Sequence, residues 1–190
     1  MQEKTKAGIM DATKIRRVLA RLATEIIERN RNLKNLAIVG VKTRGIAVGK
    51  RIAALISGLE GVDVPVGIID IARYRDDIPA SGAKARAVKP AELPFSVDKK
   101  DILLVDDVLM TGRTIRAAMD AIIDRGRPRS IQLVVLVDRG HRELPIRPDY
   151  VGKVLPTSRR EVVRVRLKDM DGTEEVVIAE PVRIGGARKR

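Results

Sequence analysis

Apolar residues change their spacing along the chain in a regular way, and the changes mark out alternating helices and strands. From Asp11, a good helix N-cap, Ile15, Val18, Leu19, Leu22, Ala23, Ile26 and Ile27 fall on one helical face. The opposite face carries Arg17, Arg21, Thr24 and Glu28, and Glu25 is spaced to pair with Arg29. Leu36 to Val41 is an unbroken apolar run, which predicts a strand buried on both sides. A Lys-Thr-Arg-Gly turn follows, then a helix from Ile46 to about Leu59. Val64 to Ile71 predicts the next strand, despite Pro65 near its start. Periodicity then fails from Ala72 to Lys100, among charges and Pro79, Pro90 and Pro94. So long an unpatterned stretch predicts a functional loop or lid.

Ile102 to Val105 predicts a central strand. The helix after it places Ile115, Ala118, Met119, Ile122 and Ile123 on one face, with Gly126 as its cap and Pro128 as its stop. Ile131 to Val137 is another buried strand. Strands alternating with helices predict parallel βαβ units with right-handed crossovers: an α/β fold whose mostly parallel, twisted sheet is flanked by helices. Asp138 to Arg160 is rich in Arg and Pro and has little period. Val162 to Leu167 and Glu175 to Ala179, joined through Asp171-Gly172, predict a C-terminal β-hairpin. One domain over residues 1–184 is expected, with a basic, disordered tail at 185–190.

Chemistry concentrates where the central strand ends. Residues 102–114 read I-L-L-V-D-D-V-L-M-T-G-R-T. Ionised carboxylates only accept hydrogen bonds, so adjacent Asp106 and Asp107 suit vicinal sugar hydroxyls. Across Thr111 to Thr114, Gly112 permits close backbone approach and the free N–H groups of a starting helix suit a phosphate. The carboxyl ends of parallel strands are where such sheets bind ligands. No Gly-x-x-x-x-Gly-Lys loop is present, which argues against nucleotide hydrolysis.

Charge widens the range of partners. Lys and Arg number 38 and Asp and Glu 25, for a net charge of +13, which favours a polyanion such as RNA. The alternative is thermophile-like surface charge, consistent with few amides and no cysteine. Tyr74, Phe95 and Tyr150 are the only aromatic residues, so RNA recognition would rest on arginine rather than on base stacking. With no cysteine and one histidine, a disulfide framework or multi-histidine metal cage is excluded. No segment approaches membrane-spanning length and the start lacks an apolar signal core, so a cytoplasmic protein without a membrane partner is expected.

Residues 102–114 closely resemble the phosphoribosyl-diphosphate (PRPP) signature of type I phosphoribosyltransferases. Three further segments narrow the resemblance: V-G-V-K-T-R-G at Val39 to Gly45, Y-R-D-D at Tyr74 to Asp77, and V-D-R-G-H-R-E-L-P-I-R-P-D-Y-V-G-K-V-L-P-T-S at Val137 to Ser158. Together they resemble the bifunctional pyrimidine operon attenuator and uracil phosphoribosyltransferase family over most of residues 11–180. That resemblance implies a type I phosphoribosyltransferase core under a small hood, placed at about 138–160. It implies PRPP and uracil as substrates, UMP and diphosphate as products, Mg²⁺ accompanying PRPP, and homodimers or homotetramers. It also implies UMP-responsive binding to the pyrimidine operon mRNA leader.

The same resemblance distributes roles. Asp106, Asp107 and Arg44 form the catalytic set, with the aspartates on the ribose hydroxyls and Arg44 with Thr43 on the pyrophosphate. Thr111, Gly112, Arg113 and Thr114 hold the 5′-phosphate, and Val108, Leu109 and Met110 belong to the same PRPP-binding segment. Tyr74, Arg75, Asp76 and Asp77 lie in a lid, and Arg139 with its neighbouring backbone lies at the pyrimidine pocket. His141 falls in the hood, where a structural hydrogen bond is at least as good a role as acid–base work. Met110 stands where the family usually has tyrosine, and Ala72-Arg73 where it usually has Thr-Leu. On the first helix the family's hydroxyl, arginine and histidine become Ala20, Arg21 and Thr24. Arg16, Arg17, Arg21 and Arg147 remain candidate RNA phosphate contacts, the alternative being a solvated basic face. Two other readings stay open: an RNA-binding regulator with weak or lost catalysis, and a phosphoribosyltransferase for a purine or orotate.

Overall fold

The computed structural model describes residues 3–71 and 91–181. Along the chain run β1 (Glu3–Asp11), α1 (Ala12–Arg29), β2 (Leu36–Val41), α2 (Arg44–Glu60), β3 (Val66–Ile69) and β4 (Ala91–Glu92). Then come β5 (Asp101–Leu109), α3 (Arg113–Ile123), β6 (Ser130–Asp138), β7 (Tyr150–Val154), β8 (Val162–Arg166), α4 (Lys168–Asp171) and β9 (Glu175–Pro181). Six strands form one sheet in the order β4-β3-β2-β5-β6-β7, parallel except where β4 pairs with β3. A separate antiparallel sheet has the order β1-β9-β8.

Both faces of the large sheet are covered, which is why β2 is apolar and buried throughout and why Ile102 to Val105 of β5 are too. On one face Ile15, Leu22 and Ile26 of α1 and Ile52 and Ile56 of α2 pack on Ile38, Leu103 and Val105, and Met10, Val165 and Val176 of the small sheet join that core. On the other, Ile115, Ala118 and Ile122 of α3 and Val97 pack against Val39, Ile102 and Leu104. The chain leaves β2 for β3 on one side and returns as β5 on the other. Strand order therefore reverses between β2 and β5, and crossovers that diverge to opposite sides leave a crevice at the strands' carboxyl ends.

Several elements differ from the sequence expectation. The helix placed at Ile46 begins at Arg44, so the turn contracts to Lys42 and Thr43. Glycine makes this possible: a Cβ on Gly45 would collide with the Val105 carbonyl, so the first turn of α2 can lie directly on β5. The strand placed at Val64 to Ile71 spans only Val66–Ile69. In α3 the buried face includes Ala117 and Ala121, while Ile123 is 58% exposed. Of the lid expected at 72–100, residues 72–90 lie outside the described residues, and with them Ala72, Arg73, Tyr74, Arg75, Asp76 and Asp77. The remainder is fixed to the body: Ala91 pairs with Ile69, and Val97 is buried.

The hood expected at 138–160 divides. Tyr150–Val154 is not hood but β7, running parallel to β6 at the edge of the large sheet. A buried polar cluster holds it there, in which Tyr150 Oη donates to Gln132 Oε1 at 2.6 Å and Asn30 Nδ2 donates to Tyr150 Oη at 3.0 Å. The hairpin is present as β8 and β9, and it gains β1 as a third strand that the sequence pattern did not reveal. Most of β1 is exposed, and its apolar residues, Ala7, Ile9 and the buried Met10, come only at its end, so alternation could not mark it. The tail expected at 185–190 lies outside the described residues.

Candidate ligand site at the strand reversal

The central strand does not stop before its carboxylates. It continues through Asp106 and Asp107 to Leu109, because β6 keeps pairing with it as far as Leu109↔Asp138. Pairing with β2 ends earlier, at Gly40↔Val105, so the crevice opens beside the two aspartates. Asp106 is 7% exposed and accepts the Asp107 N–H at 2.9 Å. Burial, then the charge of Asp107, pushes its carboxyl well above the usual carboxylate range. Burial raises Asp107 as well, opposed by its hydrogen bond with Asp106 and by the positive charge of Arg44. Such a pair readily holds one proton between its members and takes up full negative charge when a ligand supplies hydroxyl donors or a cation.

Arg44 opens α2 on the opposite wall. Close packing of β2 against this turn requires glycine at Gly40 also, where a Cβ would overlap the Ile46 backbone. The peptide between Lys42 and Thr43 is cis, and Lys42 Nζ donates to Asp70 at 3.0 Å. Arg44 Nη2 donates to Asp171 Oδ1 at 2.7 Å, while its Nε is buried without a partner. A buried donor left unpaired costs about 1–3 kcal/mol, so this nitrogen favours an arriving acceptor.

The third wall is the Thr111–Arg113 turn. Gly112 caps α3 with φ +91°, which strains any side chain. The Thr111 carbonyl accepts from Glu143 N at 2.9 Å and from Leu144 N at 3.2 Å, and the Met110 carbonyl accepts from Arg142 Nη1 at 3.0 Å. These bonds fix the turn on the 142–144 segment, and the Arg113 N–H donates to Thr111 Oγ1 at 3.3 Å, so the start of α3, where a helix favours an anion, is held in place. Arg113 Nε donates to Glu143 at 2.7 Å, and Arg142 also reaches Asp138 at 2.6 Å. Arg142 and Asp138 as braces of this turn were not anticipated. Only proximity in the fold reveals them.

Arg139 is 5% exposed, and its side chain faces the protein rather than a pocket. Its Nε donates to Thr157 Oγ1 at 3.1 Å and its Nη2 to the carbonyls of Ser158 at 3.0 Å and Glu161 at 2.6 Å. Its backbone is engaged as well, the N–H donating to the Leu109 carbonyl at 3.1 Å. His141 lies 2.7 Å from the Thr157 carbonyl through Nε2, a structural bond in which that nitrogen carries the proton. On α1, Arg21 donates to the carbonyls of Val151 and Gly152 at 2.8 Å each, so it ties the helix to β7. Arg16 donates to Thr13 of its own helix, at 3.3 Å, and Arg16, Arg17 and Arg147 are exposed. Among the described residues no group of three or more His, Cys, Asp or Glu could cage a metal ion.

Residues 8–169 match the phosphoribosyl transferase domain family. Bifunctional protein PyrR of Deinococcus radiodurans is 56% identical over 176 residues, 93% of this chain and 96% of that protein. The Bifunctional protein PyrR of Pelotomaculum thermopropionicum is 58% identical over 175 residues, 92% and 96% of the two chains. Among solved structures, a hypoxanthine phosphoribosyltransferase from Trypanosoma cruzi superposes with a TM-score of 0.72 at 19% identity, covering 93% of this chain and 96% of that one. That likeness carries the fold, as does a hypoxanthine phosphoribosyltransferase from Staphylococcus aureus with a TM-score of 0.68 at 19% identity, covering 93% and 94%. On the match across most of its length, the chain belongs to the phosphoribosyl transferase domain family and, within it, to the bifunctional PyrR proteins, the pyrimidine operon attenuator and uracil phosphoribosyltransferase family that its motifs resemble.

Proposed function

We propose that the protein transfers phosphoribosyl from PRPP to uracil, giving UMP and diphosphate, and that UMP in the same crevice promotes binding to the pyrimidine operon mRNA leader. One observation carries the catalytic reading: a carboxylate pair, Asp106 buried and Asp107 half-buried, lies between a guanidinium at a helix start and a glycine turn at another helix start. Asp106 and Asp107 accept the 2′ and 3′ hydroxyls of the ribose. The turn from Thr111 to Thr114, entered from Val108, Leu109 and Met110, holds the 5′-phosphate. Thr43 and Arg44 hold the diphosphate.

The chemistry needs no protein nucleophile. As the C1′–O bond breaks, its electron pair leaves with diphosphate and positive charge grows on the ribose ring. Uracil N1 then forms the new bond to C1′ and releases its proton. The chain's task is to align donor and acceptor and to place fixed charge around the developing one. Ionised Asp106 and Asp107 lie on the ribose side of that charge, and Arg44 stabilises the departing diphosphate. Asp106 and Asp107 are the acidic groups that would help hold Mg²⁺, a cation that takes most of its ligands from phosphate oxygens, and when bound it would neutralise part of the diphosphate charge. Met110 supplies no titratable group, so the uracil proton leaves by another route.

Parallel assays of PRPP consumption with uracil, hypoxanthine, adenine and orotate test the assignment. Turnover with uracil alone is the expected result, and preferential use of another base overturns it. Asp107→Asn keeps the shape and removes a charge, so we expect a hundredfold or greater loss of kcat, about 2.7 kcal/mol, with an unchanged melting temperature. Wild-type kinetics in that variant would remove the basis of the reading. For the regulatory half, titration of a pyrimidine-operon leader RNA with and without UMP should show tighter binding with UMP. Indifference to UMP would reduce the interaction to general electrostatics.

A further inference from the structure

The ion pair between Arg44 and Asp171 joins two parts of the chain far apart in sequence, and its geometry is more controlled than that of a surface salt bridge. Asp171 lies in the short helix α4, between the two strands of the C-terminal hairpin. One of its oxygens, Oδ2, accepts the Leu167 N–H at 2.9 Å, and the other accepts from Arg44 Nη2 at 2.7 Å. The turn beneath it is closed by bonds from Asp171 N and Met170 N to the Leu167 carbonyl, at 2.8 and 2.9 Å. Gly172, at φ +72°, ends it. The Leu167 N–H, followed by Arg44, holds the Asp171 carboxyl below the usual carboxylate range, so it stays ionised.

A second contact fixes the same loop on the same helix. Arg51 lies two helical turns beyond Arg44, on the same face of α2. It donates to Glu174 at 2.5 Å and to Asp169 at 3.1 Å. The loop therefore cannot slide along α2 without breaking both attachments. Arg44 is left with one end of its guanidinium on a rigid carboxylate, its Nε buried without a partner, and its charge close enough to act on Asp107.

An arginine carries about 2 kcal/mol of rotamer entropy, and a nearby carboxylate in the crevice would attract it if nothing else held it. We propose that Asp171 is a positioning residue for the phosphoribosyl transfer: it holds the Arg44 guanidinium off the Asp106–Asp107 pair and aimed at the diphosphate position. The inference rests on the reading of Arg44 as the diphosphate contact. Without Asp171, Arg44 turns toward Asp107 and fills the place meant for the ribose hydroxyls. The small sheet is then part of the active site through one carboxylate.

The experiment compares Asp171→Ala, Asp171→Asn, Arg44→Ala and the Arg44→Ala/Asp171→Ala double variant in the full chain. Initial rates against PRPP and against uracil are measured, with product inhibition by diphosphate. For Asp171→Ala we expect a tenfold or larger rise in KM for PRPP and in the inhibition constant of diphosphate, with KM for uracil within twofold of wild type. Asp171→Asn keeps an acceptor for Leu167 and serves should the alanine variant not fold; a smaller shift in the same direction is expected. In the Arg44→Ala background, removing Asp171 should change diphosphate inhibition less than twofold, because no guanidinium remains to be positioned. As a structural control, Glu174→Gln loosens the loop from Arg51 and should lower the melting temperature while diphosphate inhibition stays within twofold. Arg44→Ala that leaves diphosphate inhibition unchanged sinks the parent reading of Arg44. Arg44→Ala that weakens it, with Asp171→Ala and Asp171→Asn both like wild type, overturns the positioning role alone. Additive effects in the double variant, or a Glu174→Gln effect as large as that of Asp171→Ala, also overturn it.

Discussion

Asp106 stands beside a second carboxylate with almost no contact with water, so its ionisation is resisted until something enters the crevice. The sign of the resulting pH effect follows from proton counts. A carboxyl whose folded pKa is raised binds more protons folded than unfolded between its ordinary value and the raised one, so stability falls as pH climbs through that window. Asp106→Asn removes the effect. We expect its melting temperature, relative to wild type, to improve as pH rises above the ordinary carboxylate value, at about 1.4 kcal/mol for each pH unit over which the proton counts differ by one. A pH-independent difference would contradict the burial argument. Ribose hydroxyls donate to ionised carboxylates, so PRPP binding should tighten with rising pH in the same window and release a proton. Calorimetry in buffers of different ionisation enthalpy reads that proton directly, and its absence would count against the aspartates as the ribose contact. At Gly45 the argument is steric: alanine there meets the Val105 carbonyl, and we expect a loss on the order of 1–3 kcal/mol in denaturant unfolding.

Elements divide α1's arginines into two kinds that sequence position alone does not separate. Arg21 bonds two carbonyls of β7, and Arg29 bonds the Asp149 carbonyl at 3.0 Å while lying over the Tyr150 ring at 5.1 Å. These side chains attach the helix to the sheet edge. Arg17 is exposed on the same helix. We expect Arg21→Ala to lose about 0.5–1.5 kcal/mol of stability, and Arg17→Ala to leave melting unchanged while reducing the salt slope of RNA binding by about one. Equal effects of the two variants on both measurements would contradict the division. The apolar periodicity of α1 made the buried face legible, since Ile15, Leu19, Leu22, Ala23 and Ile26 are all buried as read. The basic face was legible only as charge, because its partners are backbone carbonyls from a strand more than a hundred residues away.

Across the whole molecule, the excess of basic residues is partly consumed within the fold. Arg44, Arg51, Arg113, Arg129, Arg142, Arg164 and Arg166 all face carboxylates. Exposed pairs of this kind contribute little each at ordinary temperature, so they set geometry more than stability. A net charge of +13 nevertheless remains to attract a polyanion. Raising salt should therefore weaken leader RNA binding steeply and shift the melting temperature little. An RNA affinity insensitive to salt would exclude phosphate contacts as its main source.

Local pattern was enough to establish the large parallel sheet, its covering helices, the C-terminal hairpin and the aspartates followed by a glycine turn. Each of those is written in consecutive residues through burial period or backbone requirement. Tertiary structure alone decided that Tyr150–Val154 completes the large sheet, that the exposed β1 joins the small one, that Arg139 turns inward, and that Asp171 meets Arg44. An edge strand, a solvated strand and an ion pair across 127 positions carry no period of their own. Their partners are chosen by which surfaces the packed core brings together.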